Sequence, residues 1–433
     1  MRTITQALLV TLALSASACA TTPASGPTAL PAEVAEIVEA RCGNCHGTSI
    51  SGGAPMTLVT WESMHAASIT RPSERVFQTV SARIHDAARP MPASGMLPAN
   101  ELVILDDWIA AGAPPGNGSY VPPMPVEVGP EYLPCTPTAE FRAHAPGNMS
   151  EPFHLEPGVG SSGNSTLCFA FAAPFGDATQ GTAFAPIIDD PRVLHHWIIF
   201  ASESLPAGIS AGDMWDCGAS GGITASSQFL QGWAPGGLNT VFPEDQGREL
   251  PGPAAFIVLQ VHYWNVANHA DVFDRSGVAV CTTETPRTHE VGTSILGSLD
   301  LAIPPRANQH EVVGTCTPAI TAPVTIVSSG PHMHTRGVSI STEVIRADGA
   351  REMLVDVPHW DFNSQTGEPA PGGALVIRPG DRLRTRCVYD NLTSEPITFG
   401  ERTEDEMCFN FISAYPAGAI ATEIGRPRRL CID

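Results

Sequence analysis

The segments RVLHHWIIF (192–200) and AAFIVLQVHYW (254–264) are the most strand-like parts of the chain, and each directly follows a proline. Both are short runs rich in aliphatic, β-branched and aromatic side chains, which favour strands. Similar runs recur as LCFAFAAP (167–174), APVTIVSSG (322–330) and GVSISTEVI (337–345), separated by turn-rich stretches. This pattern predicts a mainly β chain of antiparallel sandwiches or jelly rolls from residue 131 onward.

The β part of the chain is expected to form two tandem domains, because about 300 residues are too many for one sandwich. We expect one domain over 131–290 and a second over 291–433. The boundary is placed where TETPRTHEVGTS (283–294) lacks strand character. A small all-α domain over 33–112 and a Pro- and Gly-rich linker over 113–130 are expected to precede them.

The overall composition limits the class of protein. The chain has 433 residues, with 40 Gly, 40 Pro and a formal net charge of -21. An acidic chain without basic patches does not suit nucleic-acid or anionic-membrane partners. We find no run of 18 consecutive apolar residues, so no transmembrane helix is expected.

The first 19 residues resemble a signal peptide that ends in a lipobox. Arg2 gives a positive start, and ALLVTLALSASA is an apolar core that ends in small residues. The sequence Ala-Ser-Ala-Cys at 16–19 predicts lipidation of Cys19, although Ala stands where Leu is usual. Ordinary cleavage beside Ala18 or Ala20 is the alternative. We expect an exported, membrane-anchored lipoprotein of a bacterial periplasm, with a flexible tether over 20–32.

The cysteine count also indicates export. Of 11 cysteines, Cys19, Cys42 and Cys45 are set aside for other roles. Eight remain, and an oxidising compartment would join them into disulfides, although spacing alone leaves the pairing open. They are Cys135, Cys168, Cys217, Cys281, Cys316, Cys387, Cys408 and Cys431.

The motif CGNCH at 42–46 is the attachment signature of c-type haem. Cys42 and Cys45 would hold the porphyrin as thioethers, and His46 would be the proximal axial ligand. The alternative interpretation is that the two cysteines form a disulfide or bind zinc. The surrounding 80 residues resemble a class I cytochrome c, in which a Met in a Pro-rich loop precedes the last helix. This resemblance favours Met91 as the distal ligand, with Met96, Met56 and His85 as alternatives.

Histidines are scattered through the β part of the chain in positions that suit a metal. His332 and His334 form an H-x-H pair, and on an extended strand both rings point to one face. His195 and His196 are adjacent, so both reach one ion only where the strand ends or bulges. Taken singly, these residues, His262 and Met407 read as ordinary packed side chains. Imidazole and thioether are nevertheless both copper ligands, and the thioether favours Cu(I).

Taken together, HHWIIF, LQVHYWN, PHMHTRG and DEMC, in that order, resemble the copper type II ascorbate-dependent monooxygenases. The resemblance covers about residues 131–433. It implies two tandem antiparallel jelly-roll domains and two copper ions. It assigns His195, His196 and His262 to an electron-transfer copper, and His332, His334 and Met407 to the catalytic, oxygen-binding copper.

The resemblance also implies a disulfide pairing of two bridges in each domain. The implied bridges are Cys135–Cys281, Cys168–Cys217, Cys316–Cys431 and Cys387–Cys408. One further family bridge is absent, because Ala201 and Ser202 stand where its first cysteine is expected.

Two departures from the family bear on the substrate. The peptide-amidating branch has an Arg that grips the substrate carboxylate where this chain has Gly330, and a Tyr where this chain has Phe411. The loss of a cation and a hydroxyl indicates a less polar substrate.

We therefore expect a copper monooxygenase that hydroxylates a C–H bond of a small organic substrate with dioxygen. Its one-electron donor would be an ascorbate-like reductant or another redox protein, with the fused haem as a possible route. The alternative is a non-enzymatic copper and haem protein for electron transfer or metal handling.

Overall fold

A computed structural model describes residues 26–432, apart from 87–90, 93–95, 123–126, 158–163, 218–226, 266–267, 361, 363–364, 366, 401–404 and 421–429. Cys19 and the predicted signal peptide lie outside these residues. Among the described helices, none has both the length and the apolar character that a membrane crossing requires.

Four helices form a small N-terminal unit: α1 (Ala32–His46), α2 (Trp61–His65), α3 (Val76–Ile84) and α4 (Ala99–Ala110). They share one apolar core, in which Leu105 and Trp108 of α4 are buried. Helix α4 begins after Pro98, and Asn100 lies inside it. Helix α1 runs through the whole CGNCH motif and ends at His46.

The segments on either side of this helical unit are more ordered than the sequence indicates. Leu30 is 4% exposed in the helical core, and Thr28 pairs with Ser119. The amide of Tyr120 donates to Pro27, and Ala113 is fully buried. The expected tether over 20–32 and linker over 113–130 therefore contain packed residues, because their apolar side chains complete the helical core.

A 3-10 turn at Pro130–Tyr132 leads into the β structure, in which the described residues form 24 strands. The first half comprises β1 (Ala139–Arg142), β2 (Phe153–Leu155), β3 (Asn164–Ala172), β4 (Gln180–Ile187), β5 (Leu194–Ser202), β6 (Met214–Asp216), β7 (Gln228–Trp233), β8 (Thr240–Val241), β9 (Gln246–Glu249), β10 (Phe256–Trp264), β11 (Val272–Asp274) and β12 (Gly277–Thr283). The second half comprises β13 (His289–Ser298), β14 (Ala302–Ile303), β15 (His310–Cys316), β16 (Val324–His332), β17 (Gly337–Ile345), β18 (Arg351–Val357), β19 (Glu368–Pro369), β20 (Leu375–Ile377), β21 (Arg382–Tyr389), β22 (Ile397–Thr398), β23 (Cys408–Tyr415) and β24 (Leu430–Ile432).

Each half packs two sheets around its own apolar core. In the first half, an antiparallel sheet of order β6-β3-β10-β5-β7 faces the strands β1-β12-β4-β9, with Trp197 and Phe184 buried between them. In the second half, the antiparallel sheet β15-β21-β17-β18 faces strands β13, β23 and β16. The mainly β character predicted from the strand-like runs is confirmed.

The strand β13 joins the two halves into one continuous sheet. It pairs in parallel with β9 of the first half through Val291, and it pairs with β23 and β24 of the second half. The expectation that 283–294 lacks strand character is therefore wrong from His289 onward. The pairings of β13 with β9 and with β24 are also parallel, so the sheets are not wholly antiparallel. Apolar Val291 is fully buried, which explains why this polar-looking segment forms a strand.

The described residues contain four disulfides. They join Cys135 to Cys281, Cys168 to Cys217, Cys316 to Cys431 and Cys387 to Cys408. The pairing implied by the family resemblance is therefore confirmed, with two bridges in each half of the β structure.

Candidate metal centres

The first candidate centre, the three-histidine cluster, consists of His195, His196 and His262. His262 lies on β10 opposite His196 on β5, and the pairing of these strands shifts by one residue at this point. His195 is the extra residue of this bulge. A bulge re-aims a side chain, which lets two adjacent histidines face the same partner. The condition that the sequence imposed on His195 and His196 is thus met.

The ring nitrogens of this cluster converge on one point. Nδ1 of His196 lies 3.1 Å from Nδ1 of His195 and 3.4 Å from Nδ1 of His262. One nitrogen from each ring falls within 4.8 Å of the others. Facing lone pairs at this separation repel each other unless a proton or a metal ion lies between them. Because all three donors are imidazole nitrogens, the set fits a borderline cation such as copper.

Burial keeps these imidazoles in the form that binds a metal. His195 is 1% exposed and His262 is 2% exposed. Desolvation lowers the pKa of His196 and His262 well below the usual value, and the neighbouring imidazoles lower it further. A neutral imidazole is the ligand form of histidine, so this cluster is ready for a cation at neutral pH.

His332 and His334 form the second candidate centre. His332 ends β16, and the two rings lie 5.2 Å apart between centroids. Nδ1 of His332 is 2.6 Å from Oε1 of Gln365, and Nδ1 of His334 is 3.0 Å from the carbonyl oxygen of Asp405. Both partners are acceptors, so each Nδ1 donates and each Nε2 remains available to a metal. Burial lowers the pKa of His332 to about 3.

Met407 lies just before β23, in a segment that is tied to the loop carrying His334. The buried carboxylate of Glu406 accepts the backbone N–H of His334 at 2.8 Å, of Arg336 at 2.6 Å and of Met407 at 3.3 Å. Desolvation raises the pKa of Glu406 to about 8, while these donors act in the opposite direction. The carboxyl group therefore fixes the backbone around His334 and Met407. The place of the Met407 thioether in the donor set stays a prediction.

The side chain of Phe362 lies between the two centres. Its ring is 5.3 Å from the ring of His195, in a stacked arrangement, and 6.1 Å from the ring of His334. Phe362 is 2% exposed. The imidazoles of His332 and His334 also contribute to lowering the pKa of His196. The two histidine sets are thus neighbours in the fold, although at least 70 residues of sequence separate any member of one set from the other.

The haem motif has the internal contacts that an axial histidine needs. Nδ1 of His46 is 2.7 Å from the carbonyl oxygen of Met56, so Nδ1 donates and Nε2 is left for a metal. Cys42 and Cys45 lie on the last turns of α1, three residues apart, and His46 ends the same helix. Burial lowers the pKa of His46, which keeps the ring neutral. These residues fit a haem, and the haem itself remains a proposal.

The candidates for the distal ligand differ in their surroundings. Met96 is 42% exposed, and His85 contacts Asp106 through Nε2 at 2.8 Å. Met56 presents its carbonyl group to His46 and packs its side chain on the helical core. Met91 is partly buried beside α3, where its amide donates to the carbonyl oxygen of Arg83. The choice of Met91 as the distal ligand stays a prediction.

Three supporting residues were not found from the sequence. They are Phe362, Gln365 and Glu406. No motif or spacing marks Phe362 and Gln365, because they act through a loop that folds back onto β16. The position of Glu406 directly before Met407 is the only signal for it.

Comparisons with known proteins agree with this arrangement. Residues 159–270 match the N-terminal domain, and residues 289–424 the C-terminal domain, of the family described as copper type II ascorbate-dependent monooxygenase. DBH-like monooxygenase protein 2 of Mus musculus is 30% identical over 264 residues, which are 56% of this chain and 42% of that protein.

Two further relatives carry names that state an activity. Dopamine beta-hydroxylase of Canis lupus familiaris is 29% identical over 199 residues, which are 43% of this chain and 32% of that protein. Tyramine beta-hydroxylase of Caenorhabditis briggsae is 29% identical over 212 residues, which are 45% of this chain and 35% of that protein. In these three cases the matched region spans less than half the length of the relative.

Proposed function

Because the chain belongs to the copper type II ascorbate-dependent monooxygenase family through residues 159–270 and 289–424, we propose that it is an exported copper-dependent monooxygenase. It hydroxylates a C–H bond of a small organic substrate with dioxygen. The observation that carries this proposal is the convergence of the ring nitrogens of His195, His196 and His262, with His332 and His334 close by.

The reaction consumes one dioxygen, two electrons and two protons for each hydroxyl group formed, and it releases one water. Two bound copper ions would supply the one-electron chemistry and the activation of dioxygen. His195, His196 and His262 would hold the copper that stores an electron. His332, His334 and Met407 would hold the catalytic copper, where a soft thioether favours the reduced state.

The surroundings of His332 support a substrate of low polarity. Phe411 lies 5.8 Å from the ring of His332 and stacks on Phe229 at 4.7 Å. Gly330 is paired with Phe411 across β16 and β23 and offers no charge to a carboxylate. An apolar wall of this kind favours an alkyl or aryl group next to the C–H bond that reacts.

The electron donor is proposed to act through a c-type haem on the helical unit. Cys42 and Cys45 would hold the haem covalently, with His46 and Met91 as axial ligands, and Met ligation raises the haem potential. The haem would pass on single electrons from an ascorbate-like reductant or another redox protein. The covalent connection to the copper domains would keep its effective concentration high.

The proposed location is the periplasm, with the chain anchored through a lipidated Cys19. The four disulfides support an oxidising compartment. The anchor is supported by the lipobox-like sequence at 16–19.

The test combines metal analysis with turnover. We expect about two copper ions per wild-type chain and weakened loading in His262→Ala and in Met407→Ala, because each variant removes one donor. Oxygen uptake by the copper-loaded, ascorbate-reduced protein is then measured with alkyl amines, amides and aryl-alkyl compounds. The aryl-alkyl compounds should give the largest uptake, and reduced haem should be reoxidised during turnover.

Two results would count against the proposal. Full copper loading in both variants would overturn the ligand assignment. Oxygen uptake that no compound in the panel stimulates would favour a non-enzymatic electron-transfer or metal-handling protein.

A further inference from the structure

The loop that follows α1 packs directly on the three-histidine cluster. A Cβ atom on Gly52 would lie 3.2 Å from Sγ of Cys45, 3.4 Å from Cγ of Pro235 and 3.7 Å from Cδ2 of His195. The second cysteine of the CGNCH motif and a ring of the cluster are therefore both in contact range of one backbone position. Gly52 is therefore adjacent to both the cysteine and the histidine ring.

Two further glycines, Gly53 and Gly236, also lie where the helical unit meets the first half of the β structure. A Cβ on Gly53 would overlap the carbonyl oxygen of Trp264, and Gly53 has a φ of 77°, which disfavours other residues. The ring of Trp264 lies 5.2 Å from the ring of His195. On the other side, a Cβ on Gly236 would lie 3.2 Å from the amide group of Asn44. The backbone of the loop after α1 therefore approaches the backbone of the β structure at positions that leave no room for a larger side chain than that of glycine.

We propose that residues 44–53 form an internal docking surface that fixes the haem motif against the three-histidine cluster, with Pro235, Gly236 and Trp264 as its counterpart. Electrons consequently enter the copper domains at this cluster, and not at His332, His334 and Met407. This inference rests on the proposed haem. The electron transfer itself moves one electron from ferrous haem to a cupric ion in the cluster, leaving ferric haem and a cuprous ion, with no bond or proton exchanged.

Burial and distance both support this direction of electron flow. His195 is 1% exposed, so a dissolved reductant has little access to the ring, and Gly52 of the docked loop is one of the residues that lie against it. The rate of electron tunnelling falls steeply with distance, so a cofactor attached to Cys45 is favoured as the donor. Beyond His195, the ring of Phe362 leads on to His334.

The test uses Gly53→Ala in the full-length protein. The added methyl group collides with the backbone of Trp264, which cannot rotate away, so the docked loop must separate. Gly112→Ala is the matched control, because Gly112 also has a positive φ, 86°, and has nothing within 4 Å of the added Cβ. Gly236→Ala disturbs the same contact from the copper-domain side. None of these residues is a proposed ligand.

Two readouts are compared in the four proteins. Hydrogen exchange of the segments 44–53 and 233–237, measured without metal or haem, should accelerate more than about tenfold in Gly53→Ala and stay at the wild-type rate in Gly112→Ala. Separately, cupric ion is added anaerobically to haem-reduced protein, and haem oxidation is followed by absorbance. It should be roughly tenfold slower or more in Gly53→Ala, because the remaining covalent tether keeps some effective concentration.

The outcomes separate this inference from the proposed function. Unchanged exchange in both Gly53→Ala and Gly236→Ala would overturn the docking surface. Faster exchange with haem oxidation at the wild-type rate would overturn the three-histidine cluster as the place where electrons enter. A purified protein that lacks a covalent haem spectrum would overturn the haem part of the proposed function and this electron route, while the exchange experiment would still decide the docking contact.

Discussion

Gln365 illustrates what the structure adds at the scale of single residues. Its Oε1 lies 2.6 Å from Nδ1 of His332, so the amide fixes both the tautomer and the orientation of the ring. The histidines of the two candidate centres could be singled out from the sequence, because four motifs in a fixed order mark them, and their role as ligands stays a prediction. The partner of each ring could not, because it depends on how a loop folds back in space.

This contact leads to a prediction for the Gln365→Leu variant. Leu fills a similar volume but accepts no hydrogen bond, so Nδ1 of His332 loses its partner and the ring loses its fixed orientation. We expect copper affinity at the His332 and His334 centre to fall by about 10- to 100-fold, as measured by competition with a chelator.

Gln78→Leu is the control for this variant. Gln78 also accepts one hydrogen bond through its amide, from the backbone of Arg75 in the helical unit. Wild-type copper affinity in Gln365→Leu, or an equal loss in the control, would contradict a specific role for Gln365.

At the scale of elements, the strands were predictable where the sequence alternates and unpredictable where packing decides. The runs at 192–200 and 254–264 predict β5 and β10. The bulge that places His195 beside His196 could only be stated as a requirement, because nothing local fixes the register. Likewise, β13 contains a polar segment that becomes a strand because its neighbours β9 and β23 pair with it.

The disulfides allow a prediction that separates stability from site geometry. The bridge Cys387–Cys408 closes 21 residues and holds β21 to the start of β23, directly after Met407. The bridge Cys135–Cys281 closes 146 residues and lies in the first half of the β structure. Chain entropy predicts that replacing each pair by Ala costs about 3 kcal/mol and about 5 kcal/mol, respectively.

The effects on copper should follow the opposite order. We expect Cys387→Ala/Cys408→Ala to weaken copper binding at the His332, His334 and Met407 centre, because the segment before β23 loses its anchor. Cys135→Ala/Cys281→Ala should bind copper like the wild type while unfolding at a lower denaturant concentration. Denaturant unfolding and copper titration of both variants check this, and equal copper affinity in the two would contradict it.

At the scale of the whole molecule, the two β halves are connected more tightly than two tandem domains need to be. One sheet continues from β9 through β13 to β23. The buried guanidinium of Arg248 on β9 donates to Oγ1 of Thr293 at 2.7 Å and to Oγ of Ser413 at 2.8 Å. The sequence cannot show that the strand after the expected boundary pairs with the preceding domain, because that pairing depends on residues far apart in the chain.

This connection has a functional consequence. The two histidine sets come from different halves, and Phe362 contacts a ring from each. A rigid junction therefore preserves the spacing of the two centres. It also provides a continuous framework on which the helical unit rests beside His195.

We predict that Arg248→Ala loosens this junction. Arg248 is 3% exposed, and its loss removes two charge-assisted hydrogen bonds and leaves a cavity, which should destabilise the β structure by roughly 2–4 kcal/mol. The wild-type halves should unfold in one calorimetric transition, because a shared sheet couples them, whereas the variant should unfold at a lower temperature with a broader transition.

Arg386→Ala is the control, since Arg386 is 40% exposed and its ion pair with Glu311 should contribute at most about 1 kcal/mol. Two separate transitions in the wild-type protein would show that the halves are independent despite the sheet that joins them.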